Sequence, residues 1–87
     1  MINLIFNNVP HLNGEKKSIN CVIDRCMVSW ESIFELLELR TNISKKIFKI
    51  CVNTRYYSLN EISTLDLNYF YDDSDFFSFN VKLFKDR

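Results

Sequence analysis

One stretch constrains this chain more than any other. Val28 to Asn42, VSWESIFELLELRTN, is the only long run in which apolar residues recur at helical spacing. Trp30, Ile33, Phe34, Leu37 and Thr41 fall on one face, Leu36 widens the stripe, and Glu31, Glu35, Glu38 and Arg40 supply the wet side. Ser29 is a natural N-cap whose hydroxyl can take the N–H of Glu31 or Ser32, and Val28 with Ile33 makes a hydrophobic staple across it. Asn42 suits the left-handed residue that ends a helix, and β-branched Thr41 and Ile43 propagate one poorly. A chain with one amphipathic helix must find an apolar surface to cover with it, and here that surface can only be a sheet.

The rest of the sequence supplies the strands. Ile2, Leu4 and Phe6 alternate with Asn3, Ile5 and Asn7, which predicts a strand with an apolar even side. Val9 to Lys17 holds the only Pro, His and Gly (Pro10, His11, Gly14) and reads as an irregular hairpin connection. The returning strand runs from Ser18 to about Met27, with Ile19, Cys21 and Ile23 on one face. Asn20, Val22 and Asp24 take the other face, and Cys26 falls with them unless a bulge changes the parity. Beyond the helix, Phe48, Ile50 and Val52 alternate with Ile47, Lys49 and Cys51 in a central strand, and Asn53 and Thr54 are turn formers. Ser58-Leu-Asn-Glu61 matches a capping box, with Leu59, Ile62 and Leu65 as apolar contacts, so a short helical turn is expected between Ser58 and Thr64. Leu67, Tyr69 and Tyr71 read as a further strand and Asp72 to Asp75 as a turn. Phe77, Phe79, Val81 and Leu83 mark the last strand. The predicted order is β-β-α-β-(short helix)-β-β: one α+β domain over residues 1–87, with a four- or five-stranded mixed sheet.

This layout of N-terminal hairpin, crossover helix, strand, small helical turn and closing strand resembles the ubiquitin-like β-grasp architecture. Within that group, Lys46 to Thr64, KIFKICVNTRYYSLNEIST, is similar to the strand and S-L-x-x-I/L turn of doublecortin-like domains. Two features depart from familiar members. The sequence closes on Phe84-Lys85-Asp86-Arg87, without the Gly-Gly of a conjugated modifier, and its formal net charge of +0 differs from the basic character of microtubule-binding doublecortin-like domains. The competing fold is a ferredoxin-like α/β plait, which requires the Ser58 segment to be a full second helix.

Composition bounds the function classes. At 47% hydrophobic and 15% aromatic, 87 residues can build a real core, and this is not the composition of a disordered chain. Neutral net charge removes any global attraction to nucleic acid or anionic lipid. No apolar run reaches transmembrane length and no signal-peptide pattern opens the chain, so an intracellular, cytoplasmic protein with no membrane association is expected. Three cysteines, Cys21, Cys26 and Cys51, cannot all pair within one chain, which argues against a secreted disulfide scaffold. Ala and Gln are absent while Asn, Ile, Lys, Phe and Tyr abound, as A/T-rich coding produces. Asn abundance therefore carries no functional message, and a viral or phage protein acting in a host cell is one setting that fits.

No catalytic constellation emerges. His11 lies alone in a loop, and a nucleophile, base and orienting group cannot be assembled around it, so no enzyme is expected. Cys21, Cys26, Cys51 and His11 have the right chemistry for a Cys3His zinc site but not the spacing, and small buried hydrophobes explain the cysteines more simply. Asp72, Asp73 and Asp75 lack the alternation, central Gly and distant Glu of a calcium loop. No metal and no cofactor is expected.

Charge and aromatic placement point instead to binding. Lys45, Lys46, Lys49 and Arg55 form a positive block, followed by a negative one of Glu61, Asp66, Asp72, Asp73 and Asp75. Adjacent aromatics such as Tyr56-Tyr57 and Tyr69-Phe70-Tyr71 must point to opposite faces of a strand, so one member of each pair lies away from the core. Tyr56, Tyr69, Tyr71 and Phe84 are the expected anchors for a protein partner, and the acidic residues are the electrostatic component, facing a partner with a basic surface. The leading expectation is thus a non-catalytic interaction module or adaptor, in one setting an inhibitor of a host complex. Its alternatives are a nucleic-acid binder working through the Lys45 to Arg55 region and a self-assembling structural protein that pairs as a homodimer.

Overall fold

A computed structural model describes residues 1–10, 14–67 and 75–83. Among the described residues, five strands and two helices follow in the order β1 (Ile2–Pro10), β2 (Lys16–Ile23), α1 (Trp30–Thr41), β3 (Phe48–Val52), β4 (Arg55–Tyr57), α2 (Leu59–Ile62) and β5 (Phe76–Leu83). They build one mixed sheet in the spatial order β2-β1-β5-β3-β4. β1 and β5 are parallel, and the other neighbours are antiparallel. This is an α+β domain consistent with the β-grasp layout. The α/β plait has no support, since α2 spans only four residues.

Helix α1 begins and ends where its capping residues place it. The Ser29 hydroxyl accepts the Ser32 N–H at 3.1 Å, and Asn42 closes the last turn in the left-handed region (φ 60°) with its N–H on the Glu38 carbonyl. Trp30, Ile33, Phe34, Leu37 and Thr41 are its buried residues. Thr41 can be buried because its hydroxyl donates to the Leu37 carbonyl at 2.6 Å and accepts the Ile43 N–H. This stripe meets Ile2, Leu4, Phe6, Ile19, Phe48, Ile50, Phe77, Phe79 and Val81 from the sheet, and Ile62 from α2 joins the same core. The Trp30 indole stands edge-on to Phe79, and its N–H donates to the Leu65 carbonyl at 3.1 Å, tying α1 to the segment after α2. The capping box at α2 is complete, with Ser58 Oγ accepting the Glu61 N–H and the Glu61 carboxylate accepting the Ser58 N–H.

Several boundaries differ from the sequence reading, each for a local reason. β1 continues to Pro10 instead of ending before Val9. Its register with β2 shifts by one residue between Phe6 and Val9, and Asn8 takes a left-handed φ of 62°. This bulge reverses the parity, so Val9, which simple alternation would put on the outer face, is fully buried. β2 stops at Ile23, and Arg25–Met27 form a 3-10 turn that leaves Cys26 exposed. Ile47 belongs to a 3-10 turn, Lys45–Ile47, so β3 starts at Phe48. Asn53 and Thr54 do turn the chain, both with positive φ, as a tight two-residue hairpin requires, and the strand they introduce, β4, was not expected. The expected strand from Leu67 to Tyr71 lies largely outside the described residues.

Candidate functional site

Both helices cover the side of the sheet that carries the core. The other side is set by the strand registers and carries no described helix. Its residues fall into cross-strand rows. Val22, Asn3 and Phe76 form the first, Asn20, Ile5 and Ser78 the second, and Ser18, Asn7 and Asn80 the third. On the far half of the sheet, Lys49 stands directly opposite Lys82, and Cys51 opposite Tyr56.

These rows differ in chemistry. The first is apolar at both ends, with Val22 56% and Phe76 59% exposed. The third joins the second in a polar ladder, in which Ser18 Oγ donates to Asn7 Oδ1 at 3.0 Å and Asn7 Nδ2 donates to Ser78 Oγ of the second row at 2.9 Å. Short Asn and Ser side chains that bond to one another keep a sheet face flat and wettable. On the far half, the Lys82 ammonium lies 4.3 Å from the centre of the Tyr56 ring, a cation–π contact. Among the described strand residues of this face, no acidic side chain occurs.

Strand β5 changes partner halfway along, and this opens the sheet at two points. Phe76 to Asn80 pair with β1, whereas Val81 to Leu83 pair with β3. Where the bulged end of β1 leaves β5, a cleft of about 550 Å³ opens between Asn8, Pro10 and Lys16 on one side and Ile47, Lys49 and Val81–Leu83 on the other. A smaller cleft of about 240 Å³ lies at the opposite end, between Cys51–Asn53 and Phe76–Phe79.

Of the expected protein-binding residues, Tyr56 lies half-buried on the helix-free face, while Tyr57 points to the core side and packs against it. Tyr69, Tyr71, Phe84, Asp72 and Asp73 lie outside the described residues, as does His11. The described acidic residues are not gathered on one surface. Glu61 is committed to the α2 cap, and the Ser58 N–H it accepts holds its carboxyl below the ordinary glutamate range, with Lys49 and Arg55 adding a smaller attraction. Asp75 bonds Arg25 at 2.6 Å, and Asp66 is exposed.

The positive block is also divided among surfaces. Lys45 reaches back to α1, 3.2 Å from Glu35 and 4.0 Å from Glu31, and the Glu35 bond raises its pKa above the ordinary lysine value. Lys46 is exposed on the 3-10 turn, Arg55 stacks over the Tyr57 ring, and only Lys49 faces the open side. The residues that the sequence reading missed are Lys82, paired with Lys49 across β3 and β5, and Lys16, which lines the same cleft.

The three thiols are equally scattered. Cys21 is buried beside Arg40, and burial pushes its thiol up despite the opposing guanidinium; Cys26 is exposed and Cys51 half-buried. Among the described residues, no group of three His, Cys, Asp or Glu side chains could hold a metal ion, and no helix is long and apolar enough to cross a membrane.

Comparison with protein-family models, with curated proteins and with solved structures finds no match to this chain. What it does must therefore be argued from its own surfaces.

Proposed function

We propose that this chain is a non-catalytic protein-binding module that docks a partner on the helix-free face of its sheet. One observation carries the reading. Within a single sheet, the face that stability requires is sealed beneath two helices, while the opposite face offers exposed apolar residues, a flat ladder of Asn and Ser, and an aromatic–lysine pair. Val22 and Phe76 supply desolvation area at one end, Tyr56 is the aromatic anchor at the other, and the ladder between them supplies hydrogen-bonding groups. A nucleic-acid platform would need a ring face open for stacking, and the described Tyr56 ring already carries the Lys82 ammonium.

The experiment is capture from a nuclease-treated lysate on the immobilised chain, compared with Val22→Glu, Phe76→Glu and Leu39→Glu variants. Leu39 is 74% exposed on the outer side of α1 and serves as the control surface. A stoichiometric partner lost with the two sheet variants and kept with Leu39→Glu is the expected result. A partner lost only with Leu39→Glu, recovery of nucleic acid alone, or self-association as the sole interaction would each overturn it.

A further inference from the structure

Among the described residues, β2 forms one outer edge of the sheet, with β1 as its strand neighbour. Residues of an antiparallel strand turn their backbone N–H and C=O alternately toward the neighbour and away from it. The phase in β2 is fixed by β1. Asn3 donates its N–H to the Asp75 carbonyl at 2.8 Å, at the start of β5, so Val22 opposite it directs its own N–H and C=O outward. Alternation extends this to Asn20 and Ser18, and Pro10, which has no N–H, stands opposite Lys16 at the same phase. The Arg40 guanidinium of α1 reaches the Asn20 carbonyl at 3.5 Å, longer than an ordinary hydrogen bond. The edge is also regular. Its bulge belongs to β1, and Ile19 to Ile23 pair with β1 without a shift.

We propose that β2 pairs antiparallel with β2 of a second copy about a two-fold axis at Asn20, joining two sheets into one. Such an axis sets one residue opposite itself, and with Asn20 there, Ser18 meets Val22 and Lys16 meets Asp24 of the other copy. Lys16 and Asp24 are exposed, and among the described residues neither forms an ion pair. The Asp24 side chain does not cap the 3-10 turn that follows it. Lysines on an edge strand deter indiscriminate pairing, whereas this register answers Lys16 with a carboxylate and Lys17 with Ile23. A slip in either direction shortens the overlap and parts Lys16 from Asp24. The strand is thus complementary to itself, which selects a second copy over an unrelated extended peptide. On pairing, the Asn20 carbonyl exchanges its long bond to Arg40 for a backbone amide donor. The inference stands apart from the docking face proposed above, which each copy carries whether paired or not.

Sedimentation equilibrium of the full chain, carried up to roughly millimolar concentration, provides the test. A reversible monomer–dimer equilibrium is expected. Asn20→Pro removes an N–H that β1 does not use and should abolish the dimer, with far-UV circular dichroism showing that the domain is still folded. Lys16→Asp should weaken dimerisation roughly tenfold, because the repulsion acts at both symmetry-related ends, and adding Asp24→Lys should restore it. A chain that stays monomeric throughout, a dimer that survives Asn20→Pro, or a loss with Lys16→Asp that Asp24→Lys does not recover overturns the inference. Phe76→Glu lies two strands from this edge and should leave dimerisation unchanged while abolishing partner capture, so the two readings fail separately.

Discussion

The two faces of the same sheet are built on opposite principles. β1 sends Ile2, Leu4 and Phe6 to one side and Asn3, Ile5 and Asn7 to the other, and β5 sends Phe77, Phe79 and Val81 against Phe76, Ser78, Asn80 and Lys82. On the helix-covered side, nearly every position is apolar and closed to solvent, so substitutions there are constrained by packing. On the helix-free side, polar groups bond to one another or meet water, and folding imposes little on their identity. Alternation thus separates residues that hold the domain together from residues that the core does not fix.

The largest effect that would break this contrast lies in the core. Phe34 is fully buried, and Phe34→Ala should cost about 3–5 kcal/mol, read as a lowered urea midpoint with an unchanged slope. Val9→Ala comes next. The bulge turns Val9 into the core, where it is fully buried, and losing its burial should cost about 1.5–3 kcal/mol. A cost near zero would mean that the end of β1 contributes little to the core.

Removing the α2 cap with Ser58→Ala should cost about 1 kcal/mol. The same cap predicts a pH dependence. Glu61 has a lowered pKa in the folded chain, so its contribution is complete above the ordinary glutamate range and is lost as pH falls through the lowered value. Glu61→Gln should flatten that part of the acid unfolding curve. The smallest effect belongs to the helix-free face, where Val22→Thr and Phe76→Thr should each change stability by only about 0.5 kcal/mol. A loss at Phe76 as large as that at Phe34 would mean that this face is covered after all.

Most of the fold is legible in the sequence because its signals are local. The α1 stripe, the Ser29 cap, the Asn42 stop and the Ser58 box each depend on residues within one or two turns, and each forms as expected. What was not legible depends on pairing. Nothing in Asn7-Asn8-Val9 by itself announces a bulge; the one-residue shift appears only against β2. β4 is three residues long and has too little alternation to be recognised before its turn is known. The candidate site divides in the same way. Tyr56 could be singled out because its neighbour Tyr57 must face the other way. Lys16, Lys49 and Lys82 are far apart in sequence and line one cleft only because β5 exchanges β1 for β3 midway. The acidic run looked like one surface, yet Glu61 and Asp75 are engaged in different local structures.

The most direct test of the docking face is amide chemical-shift mapping of the isotope-labelled chain with the partner recovered after nuclease treatment. The expected footprint covers Asn3, Ile5 and Asn20 in the β1–β2 hairpin, Ser78 and Lys82 in β5, and Tyr56 in β4, leaving the outer side of α1 unmoved. A footprint centred on Glu31, Glu35 and Leu39, with the sheet rows unchanged, would place recognition on the helix and contradict the assignment of function to the helix-free face.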